Sequence, residues 1–127
     1  MKIFALVTLL ILNVVASKAQ FQQKRQLFIF GGKCSIDQIK AQTALFDSVR
    51  NECSERDLEV TVVATSNATL RQRYHVAANS FTIILIGKDG GEKYRSEEPV
   101  QPLKIFSIID AMPMRRAEMR TKKQNKL

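Results

Sequence analysis

Short apolar runs and amphipathic stretches follow one another along most of the chain. Apolar runs at residues 27–30, 58–64 and 81–86 predict three strands, and the first and third are almost unbroken, as in strands covered on both faces. The segment 87–91 contains Asp-Gly, which supplies the positive φ angles of a hairpin turn. The charged segment 92–96 therefore predicts a fourth strand at the edge of the sheet.

Helical periodicity occurs in two main segments. Residues 35–53 predict one amphipathic helix, with Ser35 as its N-cap. Its apolar residues recur at spacings of three, four or seven: Ile36, Ile39, Phe46, Val49 and Cys53. Residues 103–112 predict a second helix that ends or kinks at Pro113, and residues 70–78 a short third one.

The order of these elements predicts the fold class. Strand, helix and strand come first and form a βαβ unit with two parallel strands; a connection, a hairpin and a helix follow. This is the minimal thioredoxin-like layout. We therefore predict an α/β domain, thioredoxin-like, with a four-stranded mixed sheet flanked by helices on both faces.

The first residues form a separate segment. Lys2 precedes an almost wholly apolar run over residues 3–16, which is too short to span a bilayer comfortably. Ser17 and Ala19 are small residues at the −3 and −1 positions of a cleavage site. The pattern predicts a signal peptide over residues 1–19, no transmembrane span after cleavage, and a secreted or, in a bacterium, periplasmic protein. The alternative is an uncleaved N-terminal anchor.

Positive charge is concentrated at the C-terminus. The chain has a formal net charge of +8, and residues 115–127 contribute six basic residues against Glu118 alone. We therefore divide the exported chain into a domain, residues 20–114, and a basic tail, residues 115–127. The tail would attract polyanions or acidic surfaces. The candidate binding residues are Arg115, Arg116, Arg120, Lys122 and Lys123. The alternative is a frayed, solvated C-terminus that keeps the protein soluble.

Four sequence blocks together resemble one known family. They are RQLFIF at residues 25–30, RDL at 56–58, LIGKDGG at 85–91 and IDAMPMRRAEM at 109–119. They resemble the thioredoxin-like DUDES domain, a domain of unknown function. Vertebrate DRO, URB, Equarin and sushi-repeat-containing proteins share it with standalone bacterial proteins. The resemblance implies a thioredoxin-like fold and an association with matrix proteins and polyanions, in a family for which no enzymatic activity is established.

Cys34 supports an alternative function. It follows the first strand, where a thioredoxin has its first active-site cysteine, and the start of a helix favours a thiolate. However, the motif reads Cys34-Ser-Ile-Asp37, with Asp37 in place of the resolving cysteine. Cys53 lies at the far end of the predicted helix, too distant for a disulfide. We therefore expect two unpaired thiols within the monomer.

Other chemistries have no support in the sequence. One histidine and two distant cysteines predict no metal site, and we expect no cofactor. There is no specific nucleic-acid motif. The sequence predicts an exported, non-catalytic binding module whose partner is a polyanion or an extracytoplasmic protein, with its oligomeric state left open. The alternative is a thiol-dependent oxidoreductase or peroxidase-like enzyme that uses Cys34 with Asp37.

Overall fold

Four strands and five α-helices are formed by residues 23–127, the part of the chain that the computed structural model describes. The predicted signal peptide lies outside these residues. The order is β1 (Arg25–Phe30), a 3-10 turn (Lys33–Ser35), α1 (Ile36–Asp47), α2 (Arg50–Glu55), β2 (Leu58–Val62), α3 (Ala68–Arg73), β3 (Thr82–Ile86), β4 (Glu92–Ser96), α4 (Pro102–Asp110) and α5 (Pro113–Gln124).

The strands form one mixed sheet in the order β2-β1-β3-β4. β1 and β2 are parallel, whereas β3 is antiparallel to both β1 and β4. This confirms the predicted four-stranded mixed sheet and the α/β fold class. β3 is buried at every position and β1 at four of six, because these two central strands are covered on both faces.

Two clusters of buried side chains cover the two faces of the sheet. The larger joins Leu27, Ile29 and Leu85 of the sheet to residues of α1, α2 and α4. The smaller lies under α3, where Phe30, Ile84 and Val76 pack with partly buried Leu70 and Tyr74. Helices on both faces are therefore needed, because each face of the central strands is apolar.

The single helix predicted for residues 35–53 is wrong. The chain forms the 3-10 turn, then α1, then α2, with a break at Ser48 and Val49. The Ser48 hydroxyl donates to the Leu45 carbonyl at 2.7 Å, and the β-branched Val49 leaves helical geometry at φ −126° and ψ 37°. Ser35 occupies the predicted N-cap position of α1, but its side chain makes no capping hydrogen bond there; its hydroxyl accepts the Gly32 N–H at 3.4 Å instead.

The C-terminal segment is helical as far as Gln124, so it is not frayed there, although most of its residues are exposed to solvent. α5 begins with Pro113 at its first turn, where a missing N–H costs nothing, and it continues to Gln124. The predicted boundary between domain and tail at residue 115 falls inside this helix. Within residues 23–127, no helix is both long and apolar enough to cross a membrane.

Gly32 is a position where the fold requires a missing side chain. A Cβ added there would lie 2.5 Å from the Asn79 Oδ1 and 2.6 Å from the Asn79 Cα, so the backbone would have to move. A Cβ at Gly31 would also lie 2.5 Å from its nearest atom, but that atom is the terminal Cδ1 of Ile39, which can rotate. The two neighbouring glycines therefore differ in what they tolerate.

We expect Gly32→Ala to lower the free energy of unfolding by about 1–3 kcal/mol, as overpacking does. Gly31→Ala is the matched control and should cost less, since only a side-chain end has to move. Urea denaturation of both variants measures the difference. Equal losses would show that the approach of Asn79 to Gly32 does not limit this loop.

Candidate functional site

Eight charged residues meet at the end of the domain where β1 begins. We call them the charge network, and they are Arg25, Glu55, Arg56, Asp57, Lys88, Asp110, Arg115 and Glu118. They come from β1, the end of α2 and the turn after it, the β3–β4 turn, the end of α4, and α5. Segments far apart in sequence are therefore joined at one place.

Arg25 lies at the centre of the network. It is the first residue of β1 and only 1% exposed. Its guanidinium donates to the Arg56 carbonyl at 2.7 Å and to both Glu118 carboxylate oxygens at 3.2 and 3.4 Å. Its backbone N–H donates to the Asp57 carbonyl at 2.9 Å. A buried guanidinium is stable only with such partners, so Arg25 fixes Glu118 against the end of the sheet.

Two further arginines share Asp110. Arg56 donates to both Asp110 carboxylate oxygens at 3.0 Å, and its guanidinium lies 4.4 Å from the centre of the Phe106 ring. Arg115, 1% exposed, donates from Nε to Asp110 at 3.3 Å and from Nη1 to the Glu55 carbonyl at 3.1 Å. These contacts hold α4 and α5 against the end of α2.

Lys88 completes the network from the β3–β4 turn. Its Nζ donates at 2.8 Å to both Asp57 and Glu118. The hydrogen bond from Lys88 is the main reason that the pKa of Asp57 is lowered. Glu118, the second partner of Lys88, is subject to two opposing effects. Burial raises its pKa, whereas the hydrogen bonds and charges of Lys88 and Arg25 lower it. The second effect is larger, so the pKa of Glu118 is lowered overall.

Asp110 is stabilised in the same way. Burial raises its pKa, yet the hydrogen bonds from Arg56 and Arg115, together with their charges, lower it overall. Three carboxylates of the network therefore stay ionised below their ordinary pKa. The arrangement is that of a fixed set of ion pairs, since each of its cations donates to at least one carboxylate of the network.

Each of the four sequence blocks contributes to the network. Arg25 belongs to the first, Arg56 and Asp57 to the second, and Lys88 to the third. The fourth supplies Asp110, Arg115 and Glu118. Sequence reasoning quoted these blocks but assigned no role to Arg25, Arg56, Lys88 or Asp110. The signal that could have identified them is a charged residue beside an apolar run in every block.

The five predicted binding residues do not all face the same way. Arg115 donates to internal acceptors, and the Nζ of Lys122 lies 3.4 Å from the Glu55 carbonyl, although Lys122 stays exposed. Arg116, Arg120 and Lys123 are exposed, and none forms an ion pair with any other described residue. Their spacing of four and three puts them on one side of α5. We call these three residues the basic stripe.

A cavity of about 490 Å³ lies beside the network. It is lined by the apolar Ile108, Met112 and Met114 and by the cationic Lys88 and Lys93, among others. Both lysines are already paired, Lys88 with Asp57 and Glu118 and Lys93 with Asp89 at 2.7 Å. The cavity therefore offers less unpaired positive charge than the basic stripe does.

Cys34 lies at the opposite end of β1 from the charge network. It is exposed and unpaired, in the 3-10 turn before α1, whereas Cys53 is buried and unpaired in α2. This confirms the expectation of two unpaired thiols, despite the break in the helix. Burial, followed by the charge of Glu52, raises the pKa of the Cys53 thiol. Asp37 is exposed, and within the described residues it pairs with neither cysteine.

The comparisons with known proteins place the chain in a family. The family described as a domain of unknown function, DUF4174, matches residues 18–118. The chain belongs to the DUF4174 family. The match includes all eight residues of the charge network and ends within α5. The resemblance to the DUDES domain stays a prediction, since the match names only DUF4174.

A solved structure is similar in fold to this DUF4174 chain. It is described as "Structure of a malarial protein", and it superposes with a TM-score of 0.55 at 17% identity, over 68% of this chain and 94% of that one. At this identity the likeness concerns the fold alone. A comparison with curated proteins found no match.

Removal of Glu118 tests the network. We expect Glu118→Gln to lower the free energy of unfolding by roughly 2–4 kcal/mol, because it leaves the buried Arg25 without its carboxylate. This loss of stability is smaller than for a fully buried ion pair, because the Glu118 side chain is 25% exposed. Glu97→Gln, at an exposed residue outside the network, is the matched control and should change stability by less than about 0.5 kcal/mol.

Glu118→Gln and its control Glu97→Gln also test how the stability of the fold depends on pH. Groups with lowered pKa stabilise the fold above their ordinary pKa, and this stabilisation is lost as the pH falls through the folded-state pKa. For Asp57, Asp110 and Glu118 the ordinary values are 3.8, 3.8 and 4.5, so stability should fall below about pH 4.5. Thermal unfolding from pH 7 to pH 2 should show a shallower acid loss in Glu118→Gln than in the control. An identical slope would contradict the network's role.

The geometry at Cys34 predicts no dithiol exchange. Asp37 replaces the second active-site cysteine, and Cys53 is buried in another helix, so a mixed disulfide on Cys34 would have no thiol to resolve it. We expect no turnover in an insulin-reduction assay with dithiothreitol, measured against thioredoxin. Clear activity that disappears in Cys34→Ser would overturn this prediction and favour the enzyme.

Proposed function

We propose that this DUF4174 protein is an exported, non-catalytic binding module that contacts polyanions through the basic stripe of α5. The observation that carries the proposal is the division of α5 into two sides. Arg115 and Glu118 take part in the charge network, while Arg116, Arg120 and Lys123 are exposed to solvent. The network thus presents, on a fixed surface, three cations that form no ion pair within residues 23–127.

Helical geometry supports this assignment. Residues at spacings of three and four lie about 5–6 Å apart between their Cβ atoms, so the stripe places three positive charges along one line. Like charges so close together destabilise a helix slightly. Lys122 and Lys123, in the last turn of α5, interact favourably with the helix dipole. This interaction stabilises Lys123 even without a ligand. A polyanion with closely spaced charges would contact several residues of the stripe at once.

A second candidate rests on one observation. Cys34 is exposed in the 3-10 turn that precedes α1, so its thiol is accessible to a reaction partner. That placement supports a thiol-dependent oxidoreductase or a peroxidase-like enzyme. The absence of a resolving cysteine at Asp37 favours the binding module. The insulin assay separates the oxidoreductase from the binding module, because only the first depends on the Cys34 thiol.

The test of the proposal is binding to heparin. We expect the triple variant Arg116→Gln/Arg120→Gln/Lys123→Gln to elute from heparin at lower salt than the unsubstituted chain. The plot of log K against log salt has a negative slope, and in DNA complexes each phosphate contact adds about 0.7–0.9 to its magnitude. By analogy, losing three contacts should make the slope shallower by about 2. Isothermal titration with a heparin oligosaccharide at several salt concentrations measures the slope.

The control removes the same charge elsewhere. Lys33→Gln/Lys40→Gln/Lys104→Gln changes three exposed lysines outside α5, so the net charge falls equally. We expect this variant to elute close to the unsubstituted chain. Equal weakening by both triple variants would mean that net charge, rather than the basic stripe, governs binding.

A further inference from the structure

β2 leaves one side of its backbone without a partner among the described residues. It is the terminal strand of the sheet, with β1 on its inner side. The Val63 N–H donates to the Ile29 carbonyl at 2.9 Å, and the Asp57 carbonyl accepts the Arg25 N–H at 2.9 Å, so residues 57 and 63 face β1. Because backbone groups alternate along a strand, those of Leu58, Val60 and Val62 point away from the sheet.

The two edges of the sheet differ in how they are protected. β4 has three charged residues among five, Glu92, Lys93 and Arg95, which discourage pairing with another strand. β2 reads Leu-Glu-Val-Thr-Val, with Glu59 as its one charge, and Val62 is 46% exposed. An edge with outward backbone groups, β-branched residues and a single charge is a template for strand pairing.

We propose that two copies of this chain associate through β2, antiparallel about a two-fold axis at Val60. In this register Val60 faces Val60 of the second copy, and Leu58 faces Val62 of the second copy. All three outward residues of each strand then exchange backbone hydrogen bonds, six in total. The two neighbouring registers are centred on Glu59 and on Thr61, and in each of them one outward residue of each copy extends past the end of the partner strand. The register centred on Glu59 also places the two Glu59 residues directly opposite each other.

The side chains agree with this register. Leu58 belongs to the larger core cluster and Val60 packs against it, so pairing would place the exposed Val62 beside Leu58 of the second copy. On the other face Glu59 would lie opposite Thr61, without a like charge directly across. The two Glu59 residues approach only along the diagonal, which is the one unfavourable contact.

Space for a second strand exists at this edge. A groove of about 370 Å³ runs beside it and is lined by Leu58 and Val60 of β2 together with Phe46, Arg50 and Cys53. The groove lies between the edge strand and the helices α1 and α2. Open space is therefore present beside β2 at Leu58 and Val60.

Cysteine cross-linking tests the register. In a Cys34→Ser/Cys53→Ala background, which removes the Cys53 thiol that lines the same groove, Val60→Cys places two thiols on residues about 5.5 Å apart between Cα atoms, within the range of a disulfide. We expect a covalent dimer under mild oxidation. Val62→Cys is the matched control, because its two copies would lie roughly 13 Å apart, four residues of strand. Cross-linking at Val62 as fast as at Val60 would overturn the proposed register.

Sedimentation tests the association itself. We expect the unsubstituted chain to approach twice its monomer mass as its concentration rises. Glu59→Gln should lower the dimer Kd by about two- to five-fold, since it removes the diagonal repulsion. Val60→Pro should abolish the dimer, because it removes an outward N–H but none of the bonds to β1. Val62→Lys, which leaves the backbone intact, should also abolish it.

Circular dichroism confirms that each variant is folded. A monomer at every concentration, or a dimer unaffected by both Val60→Pro and Val62→Lys, would overturn the proposal. So would a monomeric chain whose β2 edge binds an added extended peptide, since the edge would then serve another partner. Heparin binding by the basic stripe is measured separately, so these outcomes leave the proposed function unaffected.

Discussion

The buried charge of Arg25 is the constraint on which the rest of the structure depends. A guanidinium that is 1% exposed at the start of a central strand requires acceptors from other parts of the chain. Glu118 supplies one from α5 and the Arg56 carbonyl another from the turn after α2. The bonds of one guanidinium, made through its two terminal nitrogens, therefore fix the position of the C-terminal helix and of the entry to β2.

The network extends this constraint rather than adding separate contacts. Glu118 accepts from Arg25 and Lys88, and Asp110 accepts from Arg56 and Arg115. These two carboxylates each compensate two cations, so removing Glu118 leaves the buried Arg25 without a carboxylate, and removing Asp110 does the same to Arg56. Such networks couple their members, and the losses from single substitutions should not be additive. The four sequence blocks are accordingly best understood as parts of one structural device.

The sequence predicts the sheet well because its signals are local. Burial on both faces requires the apolar runs of β1 and β3, and a tight hairpin requires the Asp-Gly turn before β4. Both requirements are met within a few consecutive residues, so the sequence shows them directly. It failed at Ser48 and Val49, where one hydroxyl bond and one β-branched residue end a helix without Gly or Pro. Such a break depends on how α1 and α2 follow the sheet, which periodicity does not record.

The C-terminal helix was missed for a different reason. Its inner side carries Arg115 and Glu118, so it has no apolar stripe of the usual kind, and charge counting assigns it to a solvated tail. Arg115 is buried and Glu118 half-buried only because their partners, Glu55, Lys88 and Arg25, are brought to the same place by the fold. No local pattern contains that information.

The geometry of the basic stripe depends on the contacts that hold the inner side of α5. A helix of 12 residues is marginal in water by itself, and repulsion between Arg116 and Arg120, four residues apart, weakens it further. Its order must therefore come from its inner side, where Arg115 and Glu118 bond to the network. Since inner and outer residues alternate at helical spacing, one short segment both anchors itself and displays charge. Protonation of Glu118 and Asp110 should therefore loosen the base of the stripe, while the bonds from Arg115 and Lys122 to the Glu55 backbone carbonyl remain.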